Sequence, residues 1–324
     1  MMRLRHNDSM RTLKGGTAMA VAALCFWFLP ACAPFPQGPP SRTIIPGGRV
    51  RLPFELYGLR YVRTRMDGAG EPELLMIDTG AWCLTLSPEA AAQLQARRRP
   101  TLPYPSVDIA GTWLWQGTTA HVEELRIGDV RIQGLDAEVR PVRMYSGGSM
   151  LAGGVLGIDV FRDCLLTLDF PKEELVMEQG ELPPPDGKTI LPFRRIFDDV
   201  QVKVTLAGQP MWAKIDSGAY DSLVISEDLA GHLPFKEPLK AGPTLNGIFG
   251  KEAPTRAGTL DGPLKLGQFE IPHPATQVGG RSGRVLIGLL LLEQFRVTID
   301  QKNQRIRFEQ TAPQRPATPL RIIG

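Results

Sequence analysis

At 324 residues, with 43% hydrophobic and 22% charged, the chain has ordinary globular composition and room for two domains or one large body of two lobes. The formal net charge of +3 leaves no electrostatic footprint for a nucleic-acid partner. The 29 prolines and 34 glycines favour many short strands and turns over long helices.

Residues 1–31 read as an export signal. Arg3, Arg5, Arg11 and Lys14 form a positive leader, Ala18 to Phe28 a short apolar core, and Leu29-Pro30-Ala31-Cys32 ends it at small residues before a cysteine. The run is too short and wrongly flanked for a stable membrane span. The Leu-x-Ala-Cys ending resembles a bacterial lipobox, in which Cys32 would be acylated and become the mature N-terminus. Ala31-Cys32-Ala33 also fits ordinary signal cleavage, which would release a soluble secreted protein, and a retained signal anchor is a third reading. The expected location is the bacterial cell envelope, lipid-anchored and facing the periplasm, or secreted under the alternative. Removing four basic residues and Asp8 from 37 and 34 leaves 33 of each, so the mature chain is formally neutral.

Residues 32–48 read as a proline-rich stalk. Residues 49–180 and 189–310 read as two lobes, 181–188 with Pro183-Pro184-Pro185 as their linker, and 311–324 as a tail. Val50, Leu52, Phe54 and Leu56 alternate as in a half-buried strand, and Pro53 assigns it to a sheet edge.

The stretch on which the two halves turn comes next. Leu74-Leu75-Met76-Ile77 enters Asp78-Thr79-Gly80-Ala81, and Trp212-Ala213-Lys214-Ile215 enters Asp216-Ser217-Gly218-Ala219, 138 residues later. Each carboxylate sits on the second strand of an expected hairpin. The first turns at Asp67-Gly68 after Tyr61 to Met66, the second at Ala207-Gly208 after Val200 to Leu206. Two surface turn aspartates would not need the apolar residues that precede them.

A helix start follows each motif, at Ser87-Pro88-Glu89 and Ser226-Glu227-Asp228. Arg97-Arg98-Arg99 reads as the C-terminal end of the first helix, where cations complement the helix dipole, with a basic patch for an anionic partner as the less common alternative. Trp113 and Trp115 in the first half, and Ile248 and Phe249 beyond Asn246-Gly247 in the second, mark candidate flaps that would close over a substrate; ordinary surface hairpins are the equal alternative. Gly157 to Gln179 then aligns without gaps on Gly288 to Gln310, pairing Thr167 with Thr298 and Asp169 with Asp300, 131 residues apart. Cys83 and Cys164 could pair in an exported protein, but nothing local brings them together and they read as two buried thiols; the cysteines and histidines show no metal-ligand spacing.

The doubled motif, the flap-like hairpins and the later Val155-Leu156-Gly157 and Leu286-Ile287-Gly288 resemble the retropepsin-like aspartic peptidases. The resemblance covers about residues 50 to 310, twice over. It implies an all-β, bilobal acid-protease fold, with two similar barrel lobes, short helices and a cleft between them. It also implies that Asp78 and Asp216 are the catalytic pair, that Thr79 and Ser217 brace their loops, and that Gly80 and Gly218 permit a close backbone turn. Gly157 and Gly288 would pack behind. Where pepsin-like members carry a hydroxyl residue after the glycine, this chain has Ala81 and Ala219, which predicts activity extending toward neutral pH.

The activity so implied is aspartic endopeptidase, a hydrolase acting on peptide or protein substrates without metal or other cofactor, as a monomer with internal pseudo-two-fold symmetry. The alternatives are a non-catalytic peptide-binding envelope lipoprotein of the same fold and a purely structural envelope lipoprotein.

Overall fold

The computed structural model describes residues 40–66, 69–93, 97–107, 113–142, 145–146, 149–150, 152–196, 199–246, 252–280 and 282–310. Cys32, Ile248, Phe249 and the expected tail lie outside the described residues.

In the first half, alternating residues of Leu59–Met66 turn inward, and this strand pairs antiparallel with Ala69–Asp78, Met66 opposite Ala69. From Ala69–Asp78 the ladder runs to Gly154–Gly157, Leu84–Leu86, Val130–Val139 and Trp113–Ile127, then back to Leu59–Met66, closing a six-stranded barrel. Its interior is filled by Val62, Leu75, Ile77, Leu84, Val122, Ile132 and Leu156, all buried.

The second half traces the same circuit through Asp199–Leu206, Gln209–Asp216, Val285–Gly288 and Leu223–Ile225. Its last two strands are interrupted, as Arg256–Thr259 with Leu264–Leu266 and as Phe269–Ile271 with Ala275–Val278. Pro263, Pro272 and Pro274 fall in the breaks, where a residue without an N–H cannot continue a ladder.

Both halves contribute three strands to one antiparallel sheet. Its order is Ile190–Ile196, Arg305–Gln310, Phe295–Asp300, Leu165–Asp169, Glu174–Glu178 and Arg49–Pro53. Thr167 pairs with Thr298 at its centre, their hydroxyls 2.9 Å apart, so the aligned repeats meet themselves on the pseudo-two-fold axis. Pro53 ends the edge strand, as expected. Further ties join the halves. Arg195 reaches the Asp159 carboxylate at 2.6 Å, and Arg60 reaches Glu293 at 2.5 Å. The described residues accordingly fall in one compact unit, Pro36–Gly324.

Two stretches differ from the sequence reading. Arg42–Ile44, inside the expected stalk, pairs with the strand Val130–Val139, and Ile45 is buried, so the folded body begins before residue 49. Among the described residues the first helix spans Pro88–Gln93, and Arg97-Arg98-Arg99 opens the strand Arg97–Val107 instead of ending a helix. Among the described residues that strand has Trp113–Ile127 as its sole neighbour, and an edge strand tolerates Pro100, Pro103 and Pro105.

Candidate active site

Each aspartate is the last residue of an inner strand, with Leu75 and Ile77 buried before Asp78 and Ala213 and Ile215 buried before Asp216, while Trp212 is exposed. In the first half Gly157 pairs in parallel with Asp78, and in the second Gly288 pairs in parallel with Asp216. A β-carbon at Gly157 would lie 2.4 Å from the backbone of Cys83, and one at Gly288 would lie 2.4 Å from the carbonyl oxygen of Asp221. Both glycines therefore pack directly behind the aspartate loops, each against the fifth residue after its own aspartate.

Past the aspartates the two loops grip one another. Thr79 N donates to Ser217 Oγ and Ser217 N donates to Thr79 Oγ1, each at 3.0 Å. The hydroxyls then donate across the pseudo-axis, Thr79 Oγ1 to the carbonyl of Ile215 and Ser217 Oγ to that of Ile77, again at 3.0 Å. All four bonds are buried, so both hydroxyls, the N–H groups of Thr79 and Ser217 and the carbonyls of Ile77 and Ile215 are satisfied by the opposite half.

This lock brings the carboxyls together. A β-carbon on Gly80 would lie 2.1 Å from Asp216 Oδ2, and one on Gly218 would lie 2.3 Å from Asp78 Cγ. Each glycine is the bare surface on which the other half's carboxyl rests. Asp78 Oδ1 accepts from Gly80 N at 2.7 Å and Ala81 N at 3.1 Å, and Asp216 Oδ1 accepts from Gly218 N at 3.1 Å. The two carboxyls are close enough for the charge of Asp216 to act on Asp78.

Burial pushes the Asp78 carboxyl up to about 7, and the charge of Asp216 pushes the same way, against the pull of Lys214 and the Gly80 N–H. Two such groups cannot both ionise cheaply, so near neutrality they hold one proton between them. One proton on two carboxyls is the condition for one of them to accept and the other to donate.

Among the flap candidates, Trp113 and Trp115 lie on a strand whose backbone forms a hairpin with Arg97–Val107, Trp113 opposite Val107 and Trp115 opposite Pro105. The second half has a shorter hairpin, Leu245–Asn246 with Glu252–Ala253. Ala81 packs against the small apolar cluster of Tyr61, Met76 and Val155, and Ala219 against Val224, Leu245 and Leu286. Cys83 and Cys164 are buried free thiols. Burial drives both well above the usual thiol value, Cys164 to about 12.

Three charged residues at the site were not singled out in the sequence. Lys214 Nζ lies 2.8 Å from Asp199 Oδ1 and 3.5 Å from Asp216 Oδ2. Asp221 is buried nearby, its carboxyl raised to about 6 by burial and by the charge of Asp216. The signal for Lys214 was present: a lysine two residues before the aspartate shares its face of the strand.

A doubled inner strand ending in Asp-Thr/Ser-Gly, set in paired β-barrel halves over a shared sheet, defines an all-β, acid-protease-like fold. Consistent with this, a family model described as aspartyl protease matches residues 62–160, a span that includes Asp78, Thr79, Gly80 and Gly157. No curated protein matches the chain.

Proposed function

We propose that the protein is an aspartic endopeptidase in which Asp78 and Asp216 activate one water between them. The observation that carries this reading is the reciprocal seating of each carboxyl on the other half's glycine, Asp216 on Gly80 and Asp78 on Gly218. In the reaction the ionised carboxylate takes a proton from water, whose oxygen attacks the peptide carbonyl, and the protonated partner donates to the carbonyl oxygen. A second proton transfer to the amide nitrogen then releases the amine. The four bonds between Thr79 and Ser217 keep the pair aligned through both steps. No metal or cofactor is required by this chemistry.

The leader and Leu29-Pro30-Ala31-Cys32 support export, with lipid attachment at Cys32 holding a monomeric enzyme at the envelope. Digestion of a mixed peptide library by wild type, Asp78→Asn and Asp216→Asn tests the activity. Cleavage lost in both variants is the expected result. Retention of peptides without cleavage would favour the binding-protein alternative. Mass spectrometry of the N-terminal peptide for an acylated cysteine tests the anchor.

A further inference from the structure

Lys214 breaks the symmetry of the site. It shares a strand face with Asp216, and its ammonium donates to the carbonyl of Gly80 at 2.6 Å while lying 2.8 Å from Asp199 Oδ1 and 3.5 Å from Asp216 Oδ2. The residue at the matching place in the first half, 138 positions earlier, is Met76, which is buried among Tyr61, Leu74 and Val155. Thr79 matches Ser217, Gly80 matches Gly218 and Gly157 matches Gly288, whereas the residue two before each aspartate differs in kind, as does the fifth after it, Cys83 against Asp221.

A buried cation is stable only when paired. Burial works to lower the proton affinity of Lys214, but the Asp216 and Asp199 carboxylates more than offset it, and the ammonium stays charged. The groups facing it are few. Asp216 lies on its own strand, Asp199 on the neighbouring one, and the Gly80 carbonyl comes from the first half. Arg284 opposes it, but is turned to the other oxygen of Asp199 at 3.4 Å. Asp221 adds a further carboxyl beside Asp216. Among the described residues no cation lies within ion-pair distance of Asp78, so Lys214 sits closer to Asp216, while its charge also draws on Asp78.

We propose, on the peptidase reading above, that Lys214 is a positioning residue that keeps the shared proton on Asp78 and leaves Asp216 as the ionised base. Without it the second N–H on Asp78 and the Asp221 carboxyl beside Asp216 would pull the proton the other way, and the roles of acid and base would no longer be assigned as stated. Through Gly80 it also fixes the peptide whose N–H donates to Asp78, so one side chain from the second half acts on both carboxyls.

The test compares the full chain with Lys214→Met, which installs the residue of the first half, and Lys214→Arg, which keeps the charge. Two readouts are taken: the pH dependence of kcat/KM, and the titration of carboxyl-13C aspartate by NMR, with Asp78→Asn and Asp216→Asn assigning the resonances. In Lys214→Met the acid limb of the profile and the first titration step of the pair move up by about 1 to 3 units, the range expected for loss of an adjacent opposite charge. In Lys214→Arg both remain near wild type. Should Lys214→Met not fold, Lys214→Gln removes the charge while keeping a donor toward Gly80, and the same shift is expected. A charge-neutral variant that cleaves more slowly with both titrations unmoved would reduce Lys214 to a structural role and overturn the proposal. If wild type cleaves no peptide, the peptidase reading fails by itself, and the NMR titration still decides whether Lys214 sets the proton's place.

Discussion

The α-carbon of Gly218 lies against the carboxyl of Asp78 so closely that a β-carbon there would come within 2.3 Å of Asp78 Cγ. Alanine at this position must therefore displace the carboxyl, the loop, or both. Gly218→Ala is expected to lower kcat/KM by at least about 100-fold, since a displacement of about 1 Å at reacting groups costs that much. Steady-state kinetics on a cleaved peptide check it. A variant with wild-type kinetics would mean that the two loops do not meet as described.

Thr79 and Ser217 offer a thermodynamic measure of how firmly the halves are joined. Thr79→Val and Ser217→Ala each remove one hydroxyl that both donates and accepts, leaving buried backbone groups unsatisfied at a cost of about 1–3 kcal/mol per group. Because each variant also strands atoms of the other residue, the double variant is expected to be less destabilised than the sum, by about 0.5–3 kcal/mol. Urea denaturation of the four proteins closes the cycle, and strict additivity would mean the two hydroxyls act independently.

Much of this arrangement was legible in the sequence because a two-fold fold writes its signal twice. The apolar approach to Asp78 and Asp216 is the pattern of a strand buried on both faces, and Thr167 and Thr298, matched by alignment, pair with each other on the axis. What escaped was of two kinds. Lys214 lay hidden inside an apolar run, where only its tertiary partners Asp199 and Gly80 explain how a cation is accommodated. Arg97-Arg98-Arg99 was read through its local setting, a helix start upstream and Pro100 beyond. The deciding fact was non-local: the segment lies at a sheet edge, where proline is admitted.

The raised carboxyl of Asp78 fixes the direction of two pH effects. Its folded value of about 7 exceeds the ordinary 3.8, so between those limits the native state holds more protons than the unfolded chain. The stability associated with this group is present below about pH 4 and is lost as pH rises through 7. Asp221, raised to about 6, adds in the same direction. Asp78→Asn cannot ionise, so its melting temperature is expected to overtake that of wild type as pH rises from 5 to 8, as read by calorimetry across that range. Wild-type activity should fall over the alkaline side of the same window as the shared proton is lost. A melting temperature for Asp78→Asn that tracks wild type at every pH would contradict the assignment.

Ala81 and Ala219 govern the acid side. Ala81 gives Asp78 only its backbone N–H, at 3.1 Å, and neither alanine carries a hydroxyl to donate to an ionised carboxyl. A serine hydroxyl at each place would supply that donor and favour the charged form of the pair. A hydrogen bond to a charged group contributes about 1.5–3 kcal/mol, and one pKa unit corresponds to about 1.4 kcal/mol. The double variant Ala81→Ser with Ala219→Ser should therefore carry the whole pH profile of kcat/KM toward acid by about one unit or more, with its peak height little changed. Ala219 is buried against Leu245 and Leu286, so a serine hydroxyl turned toward them would go unpaired, which favours a rotamer that reaches a polar partner. Profiles of wild type and variant that superimpose would show that the missing hydroxyls do not set the working pH, leaving burial and Lys214 to do so.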